Sequence, residues 1–313
     1  MSTSVRPAST IMMVRDGNHA DAPLEVLMVR RNPRSEFVGG VYVFPGGAVD
    51  PSDGGPEAAA LCTGRDDASA SAMLGLPGGG LAYWVAALRE CFEEAGLLLA
   101  RRGESLLALQ EDAEVARFAR HRQDMNGRRR SFLDVCREEG LRLPADEVHY
   151  FSHWITPEGA PRRFDTRFFV AAAPPEQTPA HDAAETIADR WVRPADALAL
   201  HREGRIELIF PTIRTLQAIG RCATTDELLA TAAAAAVDLA GAPPFLPRLV
   251  PDGRGVRIVL PGDPGYDAVA PSPTAGDPAA TDRALRAASL AANTAHPPAA
   301  PAPAPGAAPG EPS

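Results

Sequence analysis

The sequence contains no lysine: all 31 basic side chains are arginine, set against 40 acidic ones for a formal net charge of −9. That balance argues against a general nucleic-acid binder, which needs a basic face. With alanine and proline abundant, the arginine bias reads as genome composition and carries no mechanistic weight. Cysteine is scarce, at four residues (Cys62, Cys91, Cys136 and Cys222), with no CxxC pair and no accompanying histidine spacing. A zinc site and a disulfide scaffold are therefore not expected, and free thiols suit a reducing compartment. Met1 to Thr10 lacks a basic segment followed by an apolar run, so no secretory signal is expected. No apolar stretch reaches membrane-spanning length; the alanine run Ala232–Ala236 is short and has Asp226, Glu227 and Asp238 nearby. The expectation is a cytoplasmic protein without a membrane or nucleic-acid partner.

What is present is enough apolar residue, 45%, for a substantial core. Short β-prone runs at Ile11–Val14 and Leu24–Val29 flank a polar turn and predict neighbouring strands. A third run, Val41–Phe44, stops at Pro45-Gly46-Gly47. Residues 54–80, rich in Gly, Ala and Ser, read as an inserted surface loop, partly helical and outside the core. Leu81–Leu98 is the clearest helix, with Val85, Leu88, Phe92, Ala95 and Leu99 in an apolar stripe and Gly96 as its stop signal. Residues 104–140 predict a helical insertion. Strands follow at Val148–Ile155, Arg167–Ala172 and Ile187–Val192. Helices are expected from Pro194 to Arg202, Pro211 to Ile219 and Thr225 to Leu239, then a late strand at Val256–Leu260. From 271 to 313 alanine and proline dominate, which predicts a disordered tail. Strands interleaved with helices imply an α/β domain with a mixed sheet over residues 8–262.

The informative segment is Arg89-Glu90-Cys91-Phe92-Glu93-Glu94-Ala95-Gly96-Leu97. At 3.6 residues per turn, Glu90, Glu93 and Glu94 share one helical face, nearly opposite the apolar stripe. The helix is thus expected to pack on a sheet and present three carboxylates outward. Like charges at this spacing repel by roughly 0.2–0.5 kcal/mol per pair; a hard divalent cation reverses that sign. Taken alone, such a triplet is more often a solvated face. The context differs here. Phe44-Pro45-Gly46-Gly47 lets backbone approach a phosphate or metal closely, and Asp50 and Asp53 add acidity beside it. A glycine turn, an acidic helix face and oxygen-only ligands describe a metal-plus-phosphate site.

Residues 89–97 resemble the Nudix signature R-E-U-x-E-E-x-G-U at every fixed position. Gly47 and Asp53 fall where its upstream half places glycine and glutamate, but 35 residues rather than seven separate Asp53 from Arg89. A box interrupted in this way resembles the peroxisomal coenzyme A diphosphatases. Leu27, Arg31, Gly40 and Phe44–Gly47 also match the coenzyme A motif that precedes the box in those enzymes. Val29 and Asn32 depart from it, and Glu36 stands where its second arginine belongs.

The resemblance implies a Nudix-type α/β/α sandwich with a mixed sheet and helical insertions. It implies hydrolysis of a pyrophosphate linkage in a nucleoside diphosphate derivative, with coenzyme A or an acyl-CoA as candidate substrate. A nucleotide-sugar or NADH-type dinucleotide pyrophosphatase and a non-catalytic ligand-binding module are the alternatives. Mg²⁺ or Mn²⁺ is the implied cofactor, held by Glu90, Glu93 and Glu94 with the carbonyl of Gly46. Arg89 is expected to orient a glutamate within the catalytic group, and Asp53 to brace the loop against the helix. For the general base, Glu185 precedes a late strand, with His181 and Asp182 as alternatives. Arg31, Gly46, Gly47, Arg162, Arg163 and Phe164 are the candidate substrate contacts; two arginines beside an aromatic suit a phosphate and an adenine ring. Nudix folds often pair, so a homodimer is an allowed state. Because 271–313 is expected to be disordered, its deletion should leave hydrolysis intact.

Overall fold

Four consecutive residues of the first strand, Ile11 to Val14, are wholly shielded from solvent, as are Val26 to Val29 of the second. Successive strand side chains point to opposite faces, so such runs demand cover on both sides of the sheet. The computed structural model, which describes residues 4–17, 23–35, 39–240, 242–252, 255–268 and 278–292, supplies that cover with helices on each face.

β1 (Val5–Asp16) and β2 (Leu24–Arg31) are antiparallel only where Val14–Asp16 meets Leu24–Val26, and then they diverge. The opening between them is filled by β3 (Tyr42–Val43) on β2 and β4 (Gly46–Ala48) on β1. The Pro-Gly-Gly segment read as a strand breaker is therefore itself paired. Pro45 has no N–H to offer, and its carbonyl accepts from Ile11 N at 2.9 Å. A side chain at Gly46 would put its Cβ 2.5 Å from the Ser9 carbonyl oxygen, so the close approach of β4 to β1 requires glycine.

The segment read as a loop outside the core contains α1 (Gly55–Leu61), β5 (Cys62–Thr63) and α2 (Asp67–Leu74), whose Ala58, Leu61, Ala70 and Leu74 join the main core. This overturns the surface-loop expectation. Small residues let the backbones pack tightly: a Cβ on Gly80 would lie 2.4 Å from Ser71 N. The insertion also starts the next helix, α3 (Leu81–Ala95), because Asp67 accepts the Leu81 N–H at 3.0 Å and the Gly79 N–H at 2.9 Å. The last residue of α3 is Ala95, three before the sequence-based limit at Leu98, and Gly96 (φ 71°) caps it with its N–H closing on Phe92 O.

A hairpin of β6 (Arg101–Arg102) and β7 (Ser105–Leu106) leads to α4 (Asp112–Asn126) and α5 (Phe132–Glu138), the predicted helical insertion, and then β8 (Leu141–Pro144). β9 (His149–Ile155) and β10 (Arg163–Ala172) extend the main sheet, with β10 parallel to β1. β11 (Thr186–Val192) closes the other edge on β2, giving the order β11-β2-β1-β10-β9. Even-numbered residues of β1 and β10 (Met12, Val14, Phe168, Val170) face α7 (Phe210–Ile219) and α8 (Thr225–Leu239), which follow α6 (Pro194–Arg202). Odd-numbered ones (Ile11, Met13, Phe169) face α3 and the insertions. This is the expected α/β/α sandwich around a mixed sheet. The late strand is β13 (Gly255–Val259), paired with β12 (Arg248–Asp252).

Within 271–313, where composition predicts disorder, the described residues form a helix, α9 (Pro278–Ala292), with Thr281, Ala288 and Ser289 buried. Alanine favours helix strongly, and a partner surface rewards a sequence whose few larger residues fall on one face. Among the described residues no helix is long and apolar enough to cross a membrane.

Candidate active site

α3 is buried nearly all round; only Arg89 and Glu93 of its fifteen residues are partly exposed. Glu90 and Glu94 are buried, at 9% and 2% exposure. The carboxylates therefore do not point out to water, as helical periodicity alone suggested. They face a cavity of about 1030 Å³. The correction has a simple cause: β4, filling the gap between β1 and β2, crosses the polar side of α3 as the sheet crosses the other. Gly46 N donates to Glu94 Oε2 at 3.0 Å. A Cβ on Gly47 would fall 2.5–2.7 Å from the Glu90 carboxylate, so only glycine leaves room there.

Arg89 spends all five N–H donors inside this arrangement. Its Nε and Nη2 grip the two oxygens of Asp53 at 2.7 and 2.8 Å, Nη1 reaches Glu90 at 2.8 Å and Glu93 at 2.9 Å, and Nη2 also meets Ala48 O. Asp53, 1% exposed, additionally accepts the Asp50 N–H. The bracing predicted for Asp53 and the orienting role predicted for Arg89 are both seen as contacts. Arg89 thus has no N–H left for a further partner.

Two arginines do not compensate these glutamates. Burial pushes the Glu90 carboxyl up to about 7, aided by Glu93 and opposed by Arg89. Burial, together with the neighbouring Glu90, pushes Glu94 well above the usual carboxylate range. Burial also raises Glu93. Arg31 approaches Glu94 Oε1 only to 3.8 Å, and its buried Nε has no hydrogen-bond partner. Under-neutralised buried carboxylates beside the cavity-lining Arg31 suit a cation and an anion together. Oxygen donors on one helix, with a glycine backbone in contact, fit a hard divalent ion, and Arg31 fits a phosphate oxygen.

Glu185 stands on the loop before β11, exposed at the cavity. Its charge is felt by Glu90, Glu93 and Glu94 alike. Asp182 is occupied in holding the Glu185 and Thr186 N–H groups, and His181 is paired with Asp189 at 2.8 Å, which leaves Glu185 with the unengaged carboxylate. Asn32, a departure from the coenzyme A motif, pins this loop: its side chain donates to Ala184 O at 2.8 Å and its N–H to Glu185 O at 2.7 Å. No local pattern around Asn32 signals that role. Thr186 Oγ1 ties the same loop to Glu94 O. Glu36 lies outside the described residues.

Strand parity separates the predicted substrate contacts. Arg162 and Phe164 line the cavity. Arg163 does not: it is buried, donates from Nε to Thr156 O at 3.0 Å, and points to the opposite face of β10. It is removed from the substrate set. Arg31, Gly46 and Gly47 line the cavity as expected, joined by residues the sequence reading missed, Arg6 and the run Arg128–Arg130 between α4 and α5.

A second acidic group, His121, Glu138 and Glu139, brings its ligand atoms within 4.8 Å of one another in the helical insertion. Arg117 holds Glu139 at 2.7 Å, Arg102 adds a bond at 3.1 Å, and Arg130 holds Glu138. The hydrogen bonds of Arg117 and, after it, His121 outweigh burial and pull the Glu139 carboxyl down to about 2. Guanidinium ions already fill the place a metal would take.

Comparison with known proteins agrees with this geometry. The family described as the NUDT19 Nudix domain matches residues 56–219. The human protein named acyl-coenzyme A diphosphatase NUDT19 is 28% identical over 277 residues, covering 77% of this chain and 72% of its own. Its namesake in Gallus gallus is 27% identical, covering 83% and 79%. The crystal structure of a Nudix hydrolase from Alicyclobacillus acidocaldarius is 30% identical, covers 73% of this chain and 96% of that one, and superposes with a TM-score of 0.57. A family match over more than half the chain, the shared sandwich and the carboxylates gathered at Gly46-Gly47 converge on one conclusion: the chain belongs to the Nudix hydrolases.

Proposed function

We propose that the chain hydrolyses the pyrophosphate bond of coenzyme A or an acyl-CoA with the help of Mg²⁺ or Mn²⁺. The observation that carries this reading is the meeting of Glu90, Glu93 and Glu94 with the Gly46-Gly47 backbone, next to the unpartnered Nε of Arg31. The names of the curated relatives support the substrate class.

Glu90, Glu93 and Glu94, with the Gly46 carbonyl, would hold the metal. When bound, the ion neutralises diphosphate charge and lowers the pKa of water. Arg31, which lines the cavity beside Glu94, offers its guanidinium to a non-bridging phosphate oxygen. Arg89 keeps the glutamates in place from behind. Glu185, at the cavity and unengaged, takes the proton of the attacking water. Arg162 and Phe164, on the cavity face of the β9–β10 hairpin, suit a distal phosphate and an adenine ring. The large cavity accommodates a ligand of that size.

The test is product identification. Purified protein with Mg²⁺ or Mn²⁺ should release 3′,5′-ADP and phosphopantetheine from coenzyme A, faster than it cleaves nucleotide sugars or dinucleotides. Absence of coenzyme A cleavage alongside brisk NADH or nucleotide-sugar cleavage contradicts the proposed substrate.

A further inference from the structure

The cavity that holds the glutamates has a second end with different chemistry. There Trp154, Phe210 and Ile258 form an apolar lining, and the last wall comes from α9 through Leu285, Arg286 and Ser289. Positions 285 and 289 are one turn apart and 286 flanks them, so a single helical face meets the cavity. The helix is anchored: Arg286 Nη1 pairs with Glu207 at 2.7 Å, Thr281 and Ala288 are buried, and Ser289 Oγ bonds Leu285 O. Arg286 thus acts at least in part as a strut between α9 and the segment before α7, while Leu285 extends the apolar lining.

We propose that α9 is the wall that receives the acyl-bearing arm of the substrate, so that this C-terminal helix sets the preference for acyl over free coenzyme A. The inference rests on the proposed function above. An acyl-CoA carries its charge at the diphosphate and its apolar surface at the thioester end. The cavity lining divides in the same way, with Glu90, Glu94 and Arg31 around β4, and Trp154, Phe210, Ile258 and Leu285 giving apolar surface beside the Glu207-paired Arg286 at α9. Each methylene buried there favours binding about fourfold, so a medium-length chain gives a large, readable preference.

Two measurements on the full chain test it. In the first, kcat/KM for octanoyl-CoA and for coenzyme A is compared in the wild type and in Leu285→Asp. The octanoyl-to-free ratio should exceed about tenfold in the wild type and fall at least about tenfold in the variant, the loss expected when a few methylenes lose their apolar contact. An unchanged ratio overturns the proposal, even if both activities drop through unfolding of the helix. In the second, hydrogen exchange at α9 is followed in metal-free wild-type protein, where turnover is absent. Octanoyl-CoA should slow exchange across 278–292 and coenzyme A should not; equal exchange with the two ligands overturns the proposal. Wild-type protein that cleaves coenzyme A but shows no octanoyl effect on α9 refutes only the wall. Wild-type protein that cleaves neither compound refutes the proposed function, and the exchange experiment still decides whether α9 meets an acyl chain.

Discussion

Two acidic clusters in this chain look alike in composition and differ in balance. On α3 and its brace, four carboxylates (Asp53, Glu90, Glu93 and Glu94) share Arg89 and a distant Arg31. In the helical insertion, Glu138 and Glu139 are clasped by Arg102, Arg117 and Arg130. The first cluster has its glutamate carboxyls pushed up by burial, and the second has Glu139 pulled down by its hydrogen bonds to Arg117 and His121. Proximity of acidic groups is therefore a poor guide to a metal site. The useful quantity is charge that the protein itself leaves uncompensated in a buried place.

Substitutions sharpen the contrast. Glu94→Gln should lower kcat/KM by on the order of 10³-fold, as expected when a main electrostatic element of an active site is lost. Glu139→Gln should change it less than about threefold, because Glu139 does not line the cavity and its partners Arg102 and Arg117 are partly exposed. Steady-state kinetics on both variants checks this, and comparable losses in the two would erase the distinction. Arg89→Ala leaves Asp53 buried without its partner and should cost about 3–5 kcal/mol of stability. Arg117→Ala, where Arg102 and His121 still hold Glu139, should cost about 1 kcal/mol or less. Urea denaturation of each variant reads the difference. Glu185→Gln should reduce kcat on the order of 10²-fold, the lower range for loss of a general base, while Mn²⁺ affinity stays within about threefold, since the residue lies outside the ligand set.

The smallest effect concerns pH, and its sign differs between the clusters. Glu90 has a folded pKa raised from 4.5 to about 7, so the fold favours its protonated form. Its contribution is complete below about pH 4.5, the unfolded value, and is lost as pH rises through about 7. Glu139, lowered to about 2, contributes fully above about pH 4.5 and loses that contribution as pH falls toward 2. Metal-free protein should therefore melt a few degrees lower at about pH 8 than at about pH 6, and saturating Mg²⁺ should remove the fall, because the cation replaces the proton. A metal-free melting temperature that rises over this range contradicts the assignment of charge to α3.

The α3 site was legible because its glutamates recur at helical spacing and its glycine partner is a recognisable string. The fold class was legible because the buried strands are continuous apolar runs. What escaped has identifiable causes. Residues 54–80 space their larger apolar residues, Leu61, Met73, Leu74 and Leu76, without a long periodic stripe, and alanine and serine serve where backbones touch, as Ala70 and Ser71 do against Gly80. The outward direction of the glutamates followed from one helix in isolation, and β4 is brought across them by long-range pairing that no local pattern encodes. Arg162 precedes β10 and Arg163 is its first residue, and only where the strand begins against β1 decides which of the two meets the cavity. α9 is alanine-rich and close in composition to a disordered linker; a surface to pack on distinguishes the two.

The most direct measurement is anomalous scattering from crystals soaked in Mn²⁺ with a non-hydrolysed diphosphate ligand. The account predicts density among Glu90, Glu93, Glu94 and the Gly46 carbonyl, with metal–oxygen distances of about 2.0–2.3 Å, and a phosphate oxygen on Arg31. Manganese seated instead between His121 and Glu139, or no ion between α3 and β4 at saturating concentration, would contradict it.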